Sequence, residues 1–280
     1  MSNRNSHQNK QAARERLRAE RERQAKKDRT RRQLIVGGAV VAILAIAGGI
    51  GYGVSQMNGG GDANKKWKAA AEKETLVKPA HTTGPQGTTV VIGDQKAKNT
   101  LHVYEDMRCP ICAEFEQYTG STVAKDIKDG TFKVQYTMGT FLDDKEGMIG
   151  AGSKNALSAL GAALNVSPDA FLEYKSALFS AKNHPAETDD AFASDQKLIE
   201  IAQQVKALKG NKSFEKAVTN GTYDRWALAM SKTFNDTKDV DSTPTIKLNG
   251  KILTVTVQGQ QAPPITPEQF NSVVRENLKK

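Results

Sequence analysis

The fold is decided by residues 104–115, which read Tyr-Glu-Asp-Met-Arg-Cys-Pro-Ile-Cys-Ala-Glu-Phe. Cys109 and Cys112 within this stretch are the only two cysteines among 280 residues, so all thiol chemistry of the chain is confined here. The preceding residues, 100–105, are rich in β-branched and aromatic side chains and predict a strand, whereas the apolar spacing in 113–127 predicts an amphipathic helix. The two sulfurs are therefore expected where a strand leads into a helix.

Such a junction favours an acidic thiol. The first turn of a helix carries unpaired N–H groups and the positive end of the helix dipole, and both stabilise a thiolate. Cys109 is accordingly predicted to be the exposed, acidified sulfur, and Cys112 lies one turn deeper on the same face. Pro110, which suits a first helical turn, and Ile111 complete the motif. The spacing predicts a reversible disulfide that reacts through a mixed disulfide at Cys109, which Cys112 resolves.

Two other uses of the cysteine pair are open. A structural disulfide would close a very short loop and would remove little entropy from the unfolded chain. A zinc site would need two further ligands, and the four histidines show no paired spacing: His7, His81, His102 and His184. The sequence favours thiol–disulfide exchange, with neither a metal nor an organic cofactor.

Positive charge is concentrated at the N-terminus. Residues 1–33 contain twelve Arg or Lys and four acidic residues, which accounts for +8 of the formal net charge of +9. The following uncharged run, 34–54, has 21 residues and is long enough to cross a bilayer as one helix. Because the basic residues lie on its N-terminal side, the positive-inside rule predicts a cytoplasmic tail and an extracytoplasmic C-terminal part.

Other interpretations of the N-terminal region are open. A cleaved signal peptide is the alternative to an anchor, because Ala45-Ile46-Ala47 resembles a cleavage site, but the long basic segment favours an uncleaved anchor in a cell membrane. The tail is also expected to contact anionic lipid headgroups of the bilayer. Nucleic-acid binding is not expected, because no aromatic residue lies among residues 1–33. Recruitment of cytoplasmic partners by the tail is a further alternative.

The rest of the chain divides into a linker and a domain. Glycine and proline residues near both ends of 55–87 predict a flexible extracytoplasmic linker that lets the domain move beside the membrane. The domain is predicted over 88–280 and has α/β character, because strand patterns flank the helix of the cysteine motif. Helical spacing without a convincing strand recurs over about 145–235, which predicts an inserted helical subdomain. Beyond it, Asn249-Gly250 separates two strand patterns, 245–248 and 251–257, and predicts a hairpin before a last helix.

This order of elements resembles the DsbA-like disulfide oxidoreductases, a family of bacterial thioredoxin-fold proteins with a helical insertion. The resemblance covers residues 88–280 and is most specific at 104–112, 171–179 and 241–245. It implies a membrane-anchored oxidoreductase whose redox couple is the cysteine pair. It also implies that exported proteins with cysteines are its clients, and that a membrane partner of the DsbB or vitamin K epoxide reductase (VKOR) type receives the electrons.

By the same resemblance, the bond between Thr243 and Pro244 is expected to be cis and to lie beside the disulfide. It would leave the backbone of Thr243 to pair with an extended substrate strand and hold a client cysteine over Cys109. An ordinary turn before a strand is the alternative for these residues.

Two positions depart from the family pattern. Enzymes of this kind often place a buried acidic residue six positions before the first cysteine, where this chain has Val103; Glu105 and Asp106 are the candidates to replace it. Ile111 stands where the strongest oxidants carry histidine, so Cys109 is expected to be less acidic than the extreme case. Disulfide formation in exported proteins is the expected function. A reductase or isomerase, or a non-catalytic peptide-binding or chaperone module on the same fold, are the alternatives.

Overall fold

The computed structural model describes residues 60–145 and 150–279. The strands in these ranges are β1 (Thr82–Thr83), β2 (Thr89–Ile92), β3 (Thr100–Asp106), β4 (Lys133–Gly139), β5 (Thr245–Leu248), β6 (Lys251–Ile252), β7 (Val255–Val257) and β8 (Gln260–Ala262). The α-helices are α1 (Gly60–Glu72), α2 (Pro110–Lys128), α3 (Gly152–Val166), α4 (Pro168–Phe179), α5 (Asp195–Ala202), α6 (Lys212–Thr219), α7 (Asp224–Asn235) and α8 (Pro267–Asn277).

A six-stranded sheet in the order β1-β2-β4-β3-β5-β6 organises the domain. Its central strands, β3 and β4, pair in parallel over seven residues each, and the chain passes from one to the other through α2. β5 then pairs with the other edge of β3 in antiparallel orientation. The predicted β-α-β unit and the α/β fold class are therefore confirmed, and α3 to α7 lie between β4 and β5 in the chain.

Short polar and proline signals set the helix starts near the site. Cys109 is the N-cap of α2 and Pro110 takes its first position, where a missing N–H removes no hydrogen bond. Ser167 caps α4 by accepting a hydrogen bond from the backbone N–H of Ala170. A reciprocal capping box joins Thr266 and Gln269 at the start of α8. These caps fix where the helices begin against the sheet.

Aromatic side chains hold helices against the sheet. Phe270 of α8 packs against Phe115 of α2 at 6.0 Å between ring centroids, and against Phe132, just before β4, at 6.5 Å. Phe234 of α7 contacts Tyr104 of β3 at 6.2 Å. A Cβ atom on Gly139 would lie 2.8 Å from the ring of Phe234, so this close approach requires glycine at the end of β4.

The C-terminal hairpin differs from its prediction. The segment predicted as one strand over 251–257 is divided: Lys251–Ile252 continues the pairing with β5, whereas Val255–Val257 pairs with β8 in a separate two-stranded sheet. Leu253, at the division, is buried and donates its N–H to the carbonyl of Ile246. This bond extends the pairing with β5 as far as Leu253, and the chain leaves β5 after this buried residue.

Part of the predicted flexible linker is a docked helix. Trp67 and Ala70 of α1 are buried, and Lys66 donates from its Nζ to Oδ1 of Asn155 at 2.9 Å. The Nζ of Lys73 reaches the carbonyl of Gly221 at 3.2 Å. The idea of a mobile tether is therefore wrong for residues 65–72, because a tryptophan and paired lysines fasten them to the helices of the domain. The first residues of the predicted linker, 55–59, lie outside the described residues.

Replacing Trp67 with alanine is expected to destabilise the domain. Deleting a buried tryptophan side chain removes about 3 kcal/mol or more from the free energy of unfolding. Denaturant unfolding of the full-length protein, followed by far-UV circular dichroism, measures this loss. The matched control is Lys68→Ala on the exposed side of the same helix, which should change stability by less than about 0.5 kcal/mol. Equal stability of the two variants would show that α1 does not depend on Trp67 for docking.

The predicted membrane anchor at 34–54 and the basic tail at 1–33 lie outside the described residues. Within the ranges that are described, none of the helices is long and apolar enough to span a bilayer.

Candidate active site

The cysteine pair lies where β3 ends and α2 begins, as the sequence predicted. The two sulfurs are not joined by a disulfide in this structure. Cys112 is fully buried and Cys109 retains only 6% of its surface, so the prediction of an exposed Cys109 is wrong. The cause is the loop before β5: the carbonyl oxygen of Thr243 lies 3.5 Å from Sγ of Cys109 and accepts a hydrogen bond from it.

The Thr243–Pro244 bond is cis, as the resemblance implied. Strand pairing brings it to the cysteines, because Thr245, the next residue, is the register partner of Tyr104 at the end of β3. Residues 134 positions apart in the chain thus form one site. Pro110 and Ile111 lie in the first turn of α2, between the two cysteines.

The pKa values of the two thiols are shifted in opposite directions. A hydrogen bond from the thiol of Cys112 is the largest effect on Cys109 and lowers the pKa of Cys109 below its ordinary value, although burial opposes this. Burial raises the pKa of Cys112 well above its ordinary value, and the hydrogen bond to Cys109 and the charge of Glu105 raise it further. The predicted acidification of Cys109 has the expected direction. Its largest cause is the partner thiol, which the sequence argument did not name.

Alkylation rates should report this hydrogen bond directly. Because only the thiolate reacts, the rate of Cys109 alkylation rises with pH through the pKa of Cys109. We expect the midpoint in Cys112→Ala to lie above that in Cys112→Ser, since serine keeps a hydroxyl donor at this position and alanine does not. The measurement is iodoacetamide labelling of the full-length protein, with peptide mass spectrometry. Identical midpoints in the two variants would contradict the assigned role of the hydrogen bond.

A largely buried ionic network lies next to the pair. Nζ of Lys175, on α4, is 3.1 Å from Oε2 of Glu105 on β3 and 2.6 Å from Oε2 of Glu116 on α2. The side chain of Lys175 is 1% exposed, that of Glu105 is 0% exposed and that of Glu116 is 10% exposed. Rings of Tyr136 and Phe179 flank the ammonium group at 5.0 and 5.2 Å. One cation thus contacts two carboxylates in a largely buried environment.

This arrangement places a titratable carboxyl beside the resolving cysteine. Burial raises the pKa of Glu105 to about 7, although Lys175 opposes the rise. Burial alone would lower the pKa of Lys175, but the two carboxylates outweigh it and raise that pKa, so the ammonium stays charged. Glu105 is therefore able to gain or lose a proton near neutral pH, where its charge acts on Cys112. Of the two candidates to replace the acid missing at Val103, this geometry favours Glu105.

Sequence reasoning missed Lys175 and Glu116. A usable signal was present, because Lys175 lies four residues from both Phe171 and Phe179, and these two residues are on the buried side of α4. A lysine on an otherwise apolar helix face requires a buried counter-charge.

Asp106, the other candidate, has a different role. Its carboxylate accepts hydrogen bonds from Oγ of Ser153 at 2.6 Å and from the backbone N–H groups of Arg108 and Leu142. Burial raises its pKa to about 7 as well. These bonds tie the loop before Cys109 to the first turn of α3.

Arg108 strengthens the same attachment. Its buried guanidinium lies 3.1 Å from Oδ1 of Asp143 and 3.4 Å from Oδ1 of Asp190. Both carboxylates also accept backbone N–H groups at the start of α3, from Ser153 and Gly152 respectively. The segment that carries Cys109 is thereby fixed to the helices between β4 and β5.

His102 and His184 have structural partners. His102 shares hydrogen bonds with the hydroxyl groups of Tyr104 and Thr137, and His184 packs between the rings of Phe179 and Phe192. Across the described ranges there is no cluster of three or more His, Cys, Asp or Glu that would hold a metal ion.

Comparisons with known proteins agree with this geometry. A family model described as "Thioredoxin" matches residues 85–276. Oxidized DsbA of Mycobacterium tuberculosis superimposes with a TM-score of 0.55 at 25% identity, covering 69% of this chain and 93% of that one. The reduced disulfide bond oxidoreductase DsbG of the same organism gives a TM-score of 0.53 at 25% identity, covering 77% and 93%. MdbA, a thiol-disulfide oxidoreductase of Actinomyces oris, shares the fold with a TM-score of 0.55 at 18% identity, covering 76% and 96%.

One curated relative has a different overall organisation. The serine/threonine-protein kinase PknE of Mycobacterium tuberculosis is 25% identical over 118 residues, which are 42% of this chain and 21% of that protein. The match therefore spans about a fifth of the kinase.

The chain belongs to the thioredoxin family. Its strand order, cysteine pair and cis proline correspond to a thioredoxin-like α/β fold with added helices. Within that family it is a DsbA-like thiol-disulfide oxidoreductase.

Proposed function

We propose that the protein forms disulfide bonds in exported proteins, with Cys109 as the sulfur that clients attack and Cys112 as the resolving sulfur. The observation that carries this proposal is the unequal thiol pair, in which Cys109 has a lowered pKa and Cys112 a strongly raised one. A sulfur that is stable as a thiolate is a good leaving group, and its disulfide is correspondingly oxidising. The names of the Mycobacterium tuberculosis neighbours, DsbA and disulfide bond oxidoreductase DsbG, support the same chemistry.

The reaction exchanges two electrons in two steps. In the oxidised protein, a client thiolate attacks Sγ of Cys109; a bond forms between these sulfurs, the Cys109–Cys112 bond breaks, and Sγ of Cys112 leaves with the electron pair. A second client thiolate then attacks the client sulfur of the mixed disulfide and releases Cys109 as a thiolate. The client loses two electrons and the protein gains them. A membrane protein of the DsbB or VKOR type is the proposed acceptor that restores the disulfide.

Two features of the site serve these steps. Cys112 must take up a proton when it leaves, since its raised pKa disfavours the thiolate. Glu105 is the proposed donor, because its pKa of about 7 lets it release a proton at neutral pH. The backbone of Thr243, whose carbonyl already accepts from Cys109, is the proposed docking edge for the client, with Pro244 shaping it.

A single-turnover reaction tests the direction of electron flow. The oxidised full-length protein in detergent is mixed with an equal amount of a reduced peptide that contains two cysteines. We expect one peptide disulfide to form for every two protein thiols that appear, as counted by mass spectrometry after acid quenching and alkylation. If the oxidised protein leaves the peptide reduced, while the reduced protein rearranges or reduces a scrambled client, the oxidase proposal is wrong and an isomerase or reductase replaces it.

We further propose that 34–54 anchors the domain on the outer face of a cell membrane. The support is the charge asymmetry around this apolar run. Alkaline phosphatase, which is active only outside the cytoplasm, should be active when fused after residue 60 and inactive when fused after residue 33. Release of the domain into the soluble extracytoplasmic fraction would instead show that the segment is a cleaved signal peptide.

A further inference from the structure

Near the start of β3, one face of the six-stranded sheet is polar and is not covered by α7. Residues of β3 alternate, so that Leu101 and Val103 are fully buried while Thr100 and His102 face the other way and are partly exposed. On this second face α7 covers Tyr104 through Phe234. Towards the start of β3 a cavity of about 450 Å³ remains, a size that accommodates a small molecule.

Strand register builds the floor of this cavity. His102 is paired across β3 and β4 with Gln135, and across β3 and β5 with Lys247. Cross-strand partners project from the same face, so the three side chains form one row. The row is rigid at its centre, because His102 shares hydrogen bonds with Thr137 at 2.9 Å and with Tyr104 at 3.1 Å.

The wall of the cavity is basic. Lys98, Lys247 and Lys279 line it, and none of the described residues that line it is acidic. The Nζ of Lys247 lies over the ring of Tyr104 at 5.3 Å and donates to the carbonyl of Lys238. Nothing in the described ranges forms an ion pair with Lys98 or Lys279, which are exposed. Three lysines therefore line one concave, polar surface, and its described lining includes no acidic residue.

The histidine adds no further charge. Burial lowers the pKa of His102 to about 4, and the charge of Lys247 lowers it as well, so the ring is neutral at pH 7 and keeps its two hydrogen bonds. The cavity thus combines ammonium groups at its rim with an uncharged polar floor. Lysine ammonium groups act as point charges for phosphate, and the side-chain amide of Gln135 at the floor is placed to orient such a ligand.

We propose that this basic cavity binds a ligand with a phosphate or diphosphate group. Its lining residues include neither cysteine nor the cis proline, so the site is separate from the redox pair. The phosphate comes either from a soluble phosphate ester or from an anionic lipid headgroup, and the recognition chemistry is the same.

Histidine NMR of the labelled full-length protein tests the proposal with two probes. In nanodiscs of phosphatidylcholine, inorganic pyrophosphate should shift the ring signals of His102 and leave those of His184 in place, because His184 lies elsewhere against Phe179 and Phe192. If the natural source is a lipid, nanodiscs that contain phosphatidylglycerol should shift the His102 signals before pyrophosphate is added. Signals of His102 that respond to neither probe would overturn the proposal.

Two triple variants with the same net charge distinguish binding at the cavity from nonspecific electrostatic attraction to the protein. Lys98→Ser, Lys247→Ser and Lys279→Ser together should weaken pyrophosphate binding at least about tenfold, because all three positive charges that line the cavity are lost. The control replaces three exposed lysines of the segment between β4 and β5: Lys206→Ser, Lys209→Ser and Lys216→Ser. It changes the net charge equally and should alter binding by less than about twofold. Equal weakening in both triple variants would overturn the proposal, since it would show that only the overall charge matters.

Discussion

Cys109→Ser is expected to abolish disulfide transfer, whereas Cys112→Ser should accumulate mixed disulfides with clients. The oxygen of serine cannot form the mixed disulfide, so the first variant should show only uncatalysed exchange, which takes minutes to hours. The second variant keeps the acidic sulfur at the start of α2, beside the carbonyl of Thr243, so its Cys109 thiolate can attack a client disulfide and form a mixed disulfide as the client disulfide breaks. It lacks the Cys112 thiol that attacks Cys109 when this exchange runs in the reverse direction, so the mixed disulfide persists for longer. The two variants therefore separate attack from resolution.

The measurement is thiol trapping in cells that express the full-length chain. Non-reducing electrophoresis should show client adducts with Cys112→Ser, and these should disappear after reduction. The double variant with both serines is the matched control and should show no adduct. Normal client oxidation by Cys109→Ser would contradict the redox account and would favour a peptide-binding module that does not use its thiols.

Lys175→Met is expected to lower the free energy of unfolding by about 3–5 kcal/mol near pH 7.5, because it leaves buried carboxylates without their cation. Nζ of Lys175 lies within 3.1 Å of both Glu105 and Glu116, and the Lys175 side chain is almost fully buried. The loss should be smaller at pH 5, where the carboxyl groups of the variant take up protons and become neutral. Lys182→Met, on an exposed lysine of the same helical region, is the control and should change stability by less than about 0.5 kcal/mol.

The pH dependence of the wild type follows from Glu105. Its pKa is raised from 4.5 to about 7 in the folded protein, so the folded state binds a proton more tightly than the unfolded chain. Stability should therefore fall as pH rises through this interval. Glu105→Gln removes this contribution. Asp106, whose pKa is also raised, is present in both the wild type and Glu105→Gln, so the difference between their curves of stability against pH reports Glu105.

For Lys175→Met, a loss of stability that is equal at pH 5 and pH 7.5 would show that the network is not ionic.

Much of the active site was predictable from the local sequence pattern. Cys-Pro-Ile-Cys between a strand pattern and a helix pattern was sufficient to place Cys109 at an N-cap and Pro110 at the first helical position. These features depend only on neighbouring residues, so they can be predicted from the local sequence. The cis bond before Pro244 came from the family resemblance, because its environment is created by a strand pairing between residues far apart.

Features that depend on tertiary packing could not be predicted. Burial of Cys109 under Thr243 depends on the relative positions of two loops, which no local sequence pattern encodes. Lys175 meets Glu105 only after α4 packs on the sheet, 70 residues away in the chain. The docking of α1 also depends on tertiary packing. Its lysine-rich composition is typical of a solvated linker, and only the folded domain provides the contact that buries Trp67.

The most direct test of the central claim is a titration of the full-length protein against glutathione redox buffers, with both thiols followed by alkylation and mass spectrometry. We expect one two-electron transition in which Cys109 and Cys112 lose their thiols together, at a potential above that of thioredoxin, about −270 mV. Thiols that oxidise independently of each other, or that remain reduced at every ratio of oxidised to reduced glutathione, would contradict it.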